Sequence, residues 1–161
     1  MDYEIREVKE HELEECAAVI REGFLTVAKE FGITKENVPT NGAFIQVERL
    51  IEERAKGNIM YAVVYGDKII GYMHLERNTP ELYFLQKLVV LPSYRHMGIG
   101  RKLIDFAKEK VSEWQGNKIS IGIIEENTVL KNWYLSCGFE PTGTKKFEHL
   151  PFTVGFMELK L

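Results

Sequence analysis

A turn with two glycines, YRHMGIGRKL at residues 94–103, follows the apolar run LVVLP at residues 88–92 and precedes apolar residues at helical spacing. This order predicts a strand that passes through a tight turn into a helix. A helix N-terminus carries unpaired N–H groups and about half a positive charge. Gly98 and Gly100 have no Cβ to keep a ligand away from those groups, and Arg95 adds charge. The turn therefore predicts a phosphate or pyrophosphate site.

Two common phosphate motifs do not fit this turn. A dinucleotide fingerprint needs a third glycine where Leu103 stands and an acidic residue on the next strand, which has none before Glu125. A nucleotide P-loop needs Gly-Lys-Ser/Thr, but Gly100 is followed by Arg101 and Lys102. Short turns of this kind also occur with no ligand. The turn alone therefore does not decide between a phosphate site and a purely structural turn.

Composition limits the class of protein. The 161 residues fit one domain, 1–161, and 45% of them are hydrophobic, enough for one sizeable core. The net charge of −3 gives no positive field for nucleic acid or anionic lipid, and no apolar run approaches the ~18 residues of a membrane span. The N-terminus is charged from its second residue, so no secretory signal is expected there. Cys16 and Cys137 lie in helix-like patterns without metal-ligand spacing, as expected of reduced core residues in a cytoplasmic protein.

Hydrophobic periodicity predicts the element order βααβββαβαββ. The predicted strands are residues 3–8, 60–66, 68–76, 82–91, 118–124, 143–148 and 152–160, and the predicted helices have apolar positions within residues 13–31, 44–51, 103–114 and 129–137. Thr40 or Asn41 is predicted to cap the second helix. KISIGII, residues 118–124, predicts a strand covered on both faces. The central strand–helix–strand passage predicts a right-handed crossover with parallel pairing, and the hairpins predict antiparallel pairing.

Two blocks in their predicted setting resemble the GNAT superfamily of acetyl-CoA-dependent N-acetyltransferases. Residues 95–100 match the family's R/Q-x-x-G-x-G/A signature, and NTVLKNWYLSCGF at residues 127–139 matches its Asn, Leu/Ala, Tyr, Gly-Phe pattern. The resemblance implies an α/β fold with a mixed, mostly antiparallel sheet, helices on both faces, and strands splayed at the acetyl-CoA site. It covers essentially the whole chain.

The resemblance also implies a set of residues that bind coenzyme A. The turn would hold the pyrophosphate, the strand before it would pair with the pantetheine arm, and two residues of the second block would contact the same ligand. The implied residues are Leu88, Val89, Val90, Arg95, His96, Met97, Gly98, Ile99, Gly100, Arg101, Asn127 and Tyr134. Asn127 has helix capping as its alternative role. His96 stands where the family often has glycine, and we expect it to keep an ordinary negative φ.

For catalysis, the resemblance implies that Tyr134 is the general acid beside the coenzyme sulfur and that the Val90 N–H stabilises the oxyanion. A core tyrosine is the alternative for Tyr134. Where many members carry a glutamate base, this chain has Gln86, which cannot accept a proton. Glu81 and His74 are the candidate bases, with Glu76 or a water chain as further options.

The predicted activity is transfer of an acetyl group from acetyl-CoA to a primary amine in a ternary complex, without a metal. The acceptor would be a small molecule or a peptide entering over the first two helices and the last hairpin. A non-catalytic acyl-CoA-binding regulatory domain is the alternative function. Members of the family often form dimers, which makes a homodimer one option, but no heptad or exposed patch identifies an interface.

Overall fold

The computed structural model describes every residue from Met1 to Leu161. The strands are β1 (Glu4–Glu7), β2 (Ile59–Tyr65), β3 (Lys68–Arg77), β4 (Leu82–Val90), β5 (Lys118–Ile124), β6 (Glu140–Lys146) and β7 (Thr153–Lys160). The α-helices are α1 (Leu13–Glu30), α2 (Val47–Ala55), α3 (Ile99–Glu113) and α4 (Thr128–Ser136). Short 3-10 helices lie at Glu10–Glu12, Gly42–Phe44 and Pro92–Tyr94. None of the helices combines the length and apolar character needed to span a membrane.

All seven strands form one sheet in the order β1-β2-β3-β4-β5-β7-β6. Every neighbouring pair is antiparallel except β4 and β5, which are parallel because α3 connects them across the sheet. The predicted element order and the mixed, mostly antiparallel sheet are therefore confirmed.

The two parallel strands pair only at their beginnings. Their register runs from Leu82 opposite Lys118 to Phe84 opposite Ser120 and then stops. β5 stays paired with β7 along its whole length, to Ile124 opposite Val154, so β5 turns away from β4 together with β7. The edge of β4 that faces β5 is thus left open beyond Phe84, and the predicted splay is confirmed.

Helices cover both faces of the sheet. On one face, the backbone of α1 approaches Val89 so closely that a Cβ added at Gly23 would lie 1.9 Å from the Val89 Cγ2. On the other, the Phe106 ring of α3 packs against Tyr61 at 4.9 Å between centroids. Val89 pairs with Tyr72 and Tyr61 pairs with Met73, and these neighbours on β3 point to opposite faces.

Three local predictions were wrong. Asn41 caps the 3-10 turn Gly42–Phe44 by accepting a hydrogen bond from the Ala43 N–H, and α2 starts only at Val47 after two extended residues. Ile51, predicted as a core position of that helix, is exposed. β5 is not covered on both faces either, because its buried isoleucines alternate with exposed or partly buried positions, and Gly122 is exposed.

Candidate active site

The N-terminus of α3 presents a run of unpaired backbone donors. The Lys102 N–H is the first to bond into the helix, to the Gly98 carbonyl at 3.1 Å, and the amides of residues 96–101 donate to no group of the chain. Gly98 is the N-cap residue, with φ 80°, and no side chain caps the helix. Free amides at the positive end of a helix form an anion site.

His96 has a φ of 63°, so the prediction of a negative φ was wrong. His96 and Gly98 are both left-handed and flank Met97, a pattern that turns successive amides toward one concavity. Histidine is among the residues that tolerate this region as single positions. The turn therefore takes this shape without the glycine that the family often has at this position.

Arg95 ties the turn to its surroundings with its side chain. Its guanidinium donates to the Gly23 carbonyl at 2.8 Å, the Thr26 hydroxyl at 3.1 Å and the Val90 carbonyl at 3.2 Å, and burial lowers its pKa. The side chain thus connects α1, the end of β4 and the turn. These contacts use three of the five guanidinium N–H groups, so two remain as donors.

The turn and α4 also lie side by side. A Cβ added at Gly100 would meet the Trp133 ring at 3.1 Å, so the lack of a side chain there allows α3 to approach α4. Arg101 donates to the Ser136 carbonyl at 3.1 Å, close to the end of α4. Met97 is largely exposed at the tip of the turn.

Asn127 caps α4, as its alternative role suggested. Its Oδ1 accepts from the Leu130 N–H at 3.2 Å, and the residue is buried. Its Nδ2 donates to no group of the chain, so the same side chain keeps a donor for a ligand. Capping and ligand contact are compatible here.

Tyr134 lies in α4 with 6% of its surface exposed. Its ring packs edge-on against Trp133 and Phe139, at 4.9 and 5.3 Å between centroids. Its hydroxyl makes no hydrogen bond within the chain, although buried tyrosines usually find a partner. Burial raises the pKa of the phenol well above its ordinary value, so the hydroxyl keeps its proton at neutral pH.

The candidate bases fall in different places. Glu81 is exposed just before β4, and about nine residues of extended chain, roughly 30 Å, separate it from Val90. His74 has no exposed surface, and its ring nitrogens contact the Tyr72 hydroxyl at 2.9 Å and the Gln86 Oε1 at 3.1 Å. Burial lowers the His74 pKa, so the ring is neutral at pH 7. Glu81 thus lies at the far end of β4 from Val90, and His74 is enclosed by its neighbours.

Three charged residues near His74 were not predicted as site residues from the sequence. Glu53 places Oε2 at 3.5 Å from the His74 Nε2, Arg49 pairs with the Glu53 Oε1 at 3.1 Å, and Lys87 extends toward the same region. The available signals were a lysine inside the strand run YFLQKLVV and an Arg–Glu pair one helical turn apart. No group of three or more His, Cys, Asp or Glu side chains is arranged to hold a metal ion.

Comparison with known proteins places this geometry in a family. The model of the acetyltransferase (GNAT) family matches residues 25–139, which is most of the chain and includes both sequence blocks. The chain belongs to the GNAT family of acetyltransferases. An uncharacterized N-acetyltransferase of Lactobacillus delbrueckii subsp. lactis, from the pepI 3' region, is 30% identical over 94% of this chain and 89% of its own length.

Solved GNAT structures share the fold. PaiA N-acetyltransferase from Thermoplasma acidophilum, crystallised with coenzyme A, superposes with a TM-score of 0.79 at 19% identity over all of both chains. The ribosomal-protein-S18-alanine N-acetyltransferase of Escherichia coli gives 0.79 at 12% identity over 99% of this chain and 94% of its own. A GNAT acetyltransferase from Elizabethkingia anophelis with acetyl-CoA bound gives 0.69 at 16% identity, covering 99% and 98%.

Proposed function

We propose that the chain is an N-acetyltransferase that moves an acetyl group from acetyl-CoA to a primary amine by direct attack in a ternary complex. The observation that carries the proposal is the run of unpaired amides at residues 96–101 beside the open edge of β4. Family membership supports acetyl transfer, and PaiA and the Elizabethkingia protein bind coenzyme A or acetyl-CoA on the same fold.

The residues present fit coenzyme A. A pyrophosphate matches the free amides at the start of α3, because that end of the helix favours an anion. The pantetheine arm carries amides of its own, and the open backbone edge of β4 at Leu88–Val90 supplies partners for them. The free Nδ2 of Asn127 is a further donor on the opposite side of the splay.

The thioester supplies an activated acetyl group, and the chain must stabilise the charges that form when an amine attacks it. The Val90 N–H is our candidate donor to the developing oxyanion, an interaction that typically contributes about 3 kcal/mol. Tyr134 is our candidate acid for the departing thiolate, because its hydroxyl is protonated at neutral pH and has no hydrogen-bond partner within the chain.

The first experiment tests the coenzyme. Acetyl-CoA is expected to raise the melting temperature, and ATP is not, because the turn lacks the nucleotide P-loop motif. Equal shifts with both ligands, or no shift with either, would contradict the assignment of coenzyme A.

The second experiment tests catalysis with a panel of amines, by following release of the coenzyme thiol. Tyr134→Phe is expected to lower kcat by about 100-fold, the lower end of general-acid effects, with little change in acetyl-CoA binding. Tyr65→Phe, at an exposed tyrosine on β2, is the matched control. If every amine in a wide panel is inert while acetyl-CoA still binds, the chain is instead a non-catalytic acyl-CoA-binding domain.

A further inference from the structure

Lys87 has an unusual backbone in the middle of β4. Its φ is 57°, in the left-handed region that side chains other than glycine rarely adopt. His74 pairs with Gln86 and Tyr72 pairs with Val89, so Lys87 and Leu88 together lie opposite a single residue of β3. This is a β-bulge, a feature that re-aims a side chain and is frequent beside active sites. The strain at a lysine points to a role for its side chain.

The bulge directs the Lys87 side chain to the face of the sheet covered by α1 and α2. Its Nζ lies 5.7 Å from the centre of the Phe24 ring on α1, and the side chain is partly buried. No carboxylate lies within salt-bridge distance of Nζ. Burial, together with the positive charge of Arg49, lowers the pKa of the amine to about 8, and Glu53 offsets only part of this effect.

Arg49 provides a second cationic donor, near enough for its charge to lower the pKa of Lys87. Its Nε pairs with the Glu53 Oε1 at 3.1 Å, and its Nη1 donates to the Thr40 carbonyl at 2.6 Å. Its Nη2 makes no hydrogen bond within the chain. With His74 neutral, the cluster of Lys87, Arg49, Glu53 and His74 carries a net charge of +1. Glu76 lies further along β3 and is contacted by the Gln86 Nε2 at 3.5 Å.

A carboxylate matches the charge and the donors of this cluster better than a phosphate does. Two free donors, one ammonium and one guanidinium nitrogen, suit the two oxygens of a carboxylate, and a single negative charge neutralises the cluster. A phosphate group, with close to two charges at neutral pH, would leave it anionic. The cluster also lies between α1, α2 and β4, which is the side where the family resemblance places the acceptor.

We propose that Lys87 and Arg49 bind a carboxylate of the acceptor, so that the substrate is an amine that also carries an acidic group, as an amino acid does. This inference rests on the proposed function, since it specifies the acceptor of the acetyl transfer. The anionic partner supplies the counter-charge that Lys87 lacks within the chain, and it accounts for a strained lysine in the mostly apolar strand β4.

The test compares acceptors that differ only in the acidic group. Leucine, β-alanine and δ-aminovalerate are each paired with the amino alcohol in which CH2OH replaces the carboxylate, which keeps an amine of similar basicity. We expect the best acid to exceed its alcohol by about 10-fold or more in kcat/KM, the usual size of a charge-assisted hydrogen bond. Equal or better use of all three alcohols would overturn the inference but not the proposed function.

Variants of Lys87 test whether its positive charge causes the preference for the acids. Lys87→Met is expected to remove the difference between each acid and its alcohol, and Lys87→Arg to keep most of it because the charge is retained. Lys56→Met, at an exposed lysine after α2, is the matched control and should leave the preference unchanged. A preference for acids that survives Lys87→Met in a folded protein would refute the assignment. If none of the six compounds is acetylated while acetyl-CoA binds, the inference fails, and a silent wider panel would also reject the proposed function.

Discussion

Gly23→Ala offers a sharp test of how closely α1 approaches the strand that we assign to the pantetheine arm. Replacing glycine by alanine inside a helix normally stabilises it by about 1 kcal/mol. Here the new Cβ would lie 1.9 Å from the Val89 Cγ2, whereas carbon atoms in contact are about 3.5–4.0 Å apart. Val89 cannot easily turn away, because β-branched side chains are stiff at χ1. The helix must therefore move outward.

The size of the effect follows from these two opposing terms. Overpacking of a core costs about 1–3 kcal/mol, and the severity of this overlap places Gly23→Ala near the upper end. Subtracting the gain in helix propensity leaves a net loss of about 2 kcal/mol, or roughly 4–8 °C in Tm for a domain of this size. Outward movement of α1 also disturbs the 2.8 Å hydrogen bond from Arg95 to the Gly23 carbonyl. The KM for acetyl-CoA should rise as a result.

Thermal unfolding and acetyl-CoA kinetics measure both consequences. Glu22→Ala, at the exposed neighbouring position of α1, is the control and should change stability by less than about 0.5 kcal/mol. Adding Val89→Ala to Gly23→Ala removes the clashing methyl groups, so the two substitutions should couple by at least 1 kcal/mol, a size typical of residues in contact. A Tm for Gly23→Ala equal to or above that of the parent would refute the close approach.

Two further substitutions test the turn and the acid dependence of stability. His96→Gly should raise Tm by about 1–2 °C, because relief of the left-handed strain slightly exceeds the entropy cost of glycine. The affinity for acetyl-CoA should stay unchanged if only the backbone amide of His96 contributes. A lower affinity would assign a role to the imidazole. Glu12→Gln should reduce the loss of stability in acid. Two hydrogen bonds from Arg6 hold the pKa of Glu12 at about 2. The pair therefore stabilises the fold above pH ~4.5, and this contribution, up to about 3 kcal/mol, is lost as pH falls toward 2. Denaturant titrations of parent and variant across that range measure the difference, and parallel curves would contradict the pairing.

Sequence patterns predicted those parts of the site that are determined by residues close together in the sequence. The turn before α3, the helix itself and the helix that carries Asn127 and Tyr134 all follow from glycine positions and apolar spacing within one segment. The splay of β4 from β5 came only from the family resemblance, because it depends on where the pairing stops after Phe84.

Backbone exceptions could not be predicted in this way. The left-handed φ of His96 and of Lys87 contradicts the local preference of each residue, and the surrounding turn and sheet register impose it. The cluster of Lys87, Arg49, Glu53 and His74 was missed for a related reason. Its members come from β4, α2 and β3, and only the folded sheet brings them together.

The charge of Lys87 gives a pH signature that separates its proposed role from the chemistry of the amine. The kcat/KM ratio of an acid to its paired alcohol cancels the titration of the acceptor amine, which is similar in both. The ratio should be constant below pH 7 and fall as pH rises through about 8, where free Lys87 loses its proton. The other ionisable groups around it are Arg49, Glu53 and His74, and burial lowers the pKa of His74, so that ring is neutral throughout this range. Lys87→Arg should keep the ratio flat to pH 9, because arginine remains protonated. A ratio that falls equally in Lys87→Arg would show that another group binds the carboxylate.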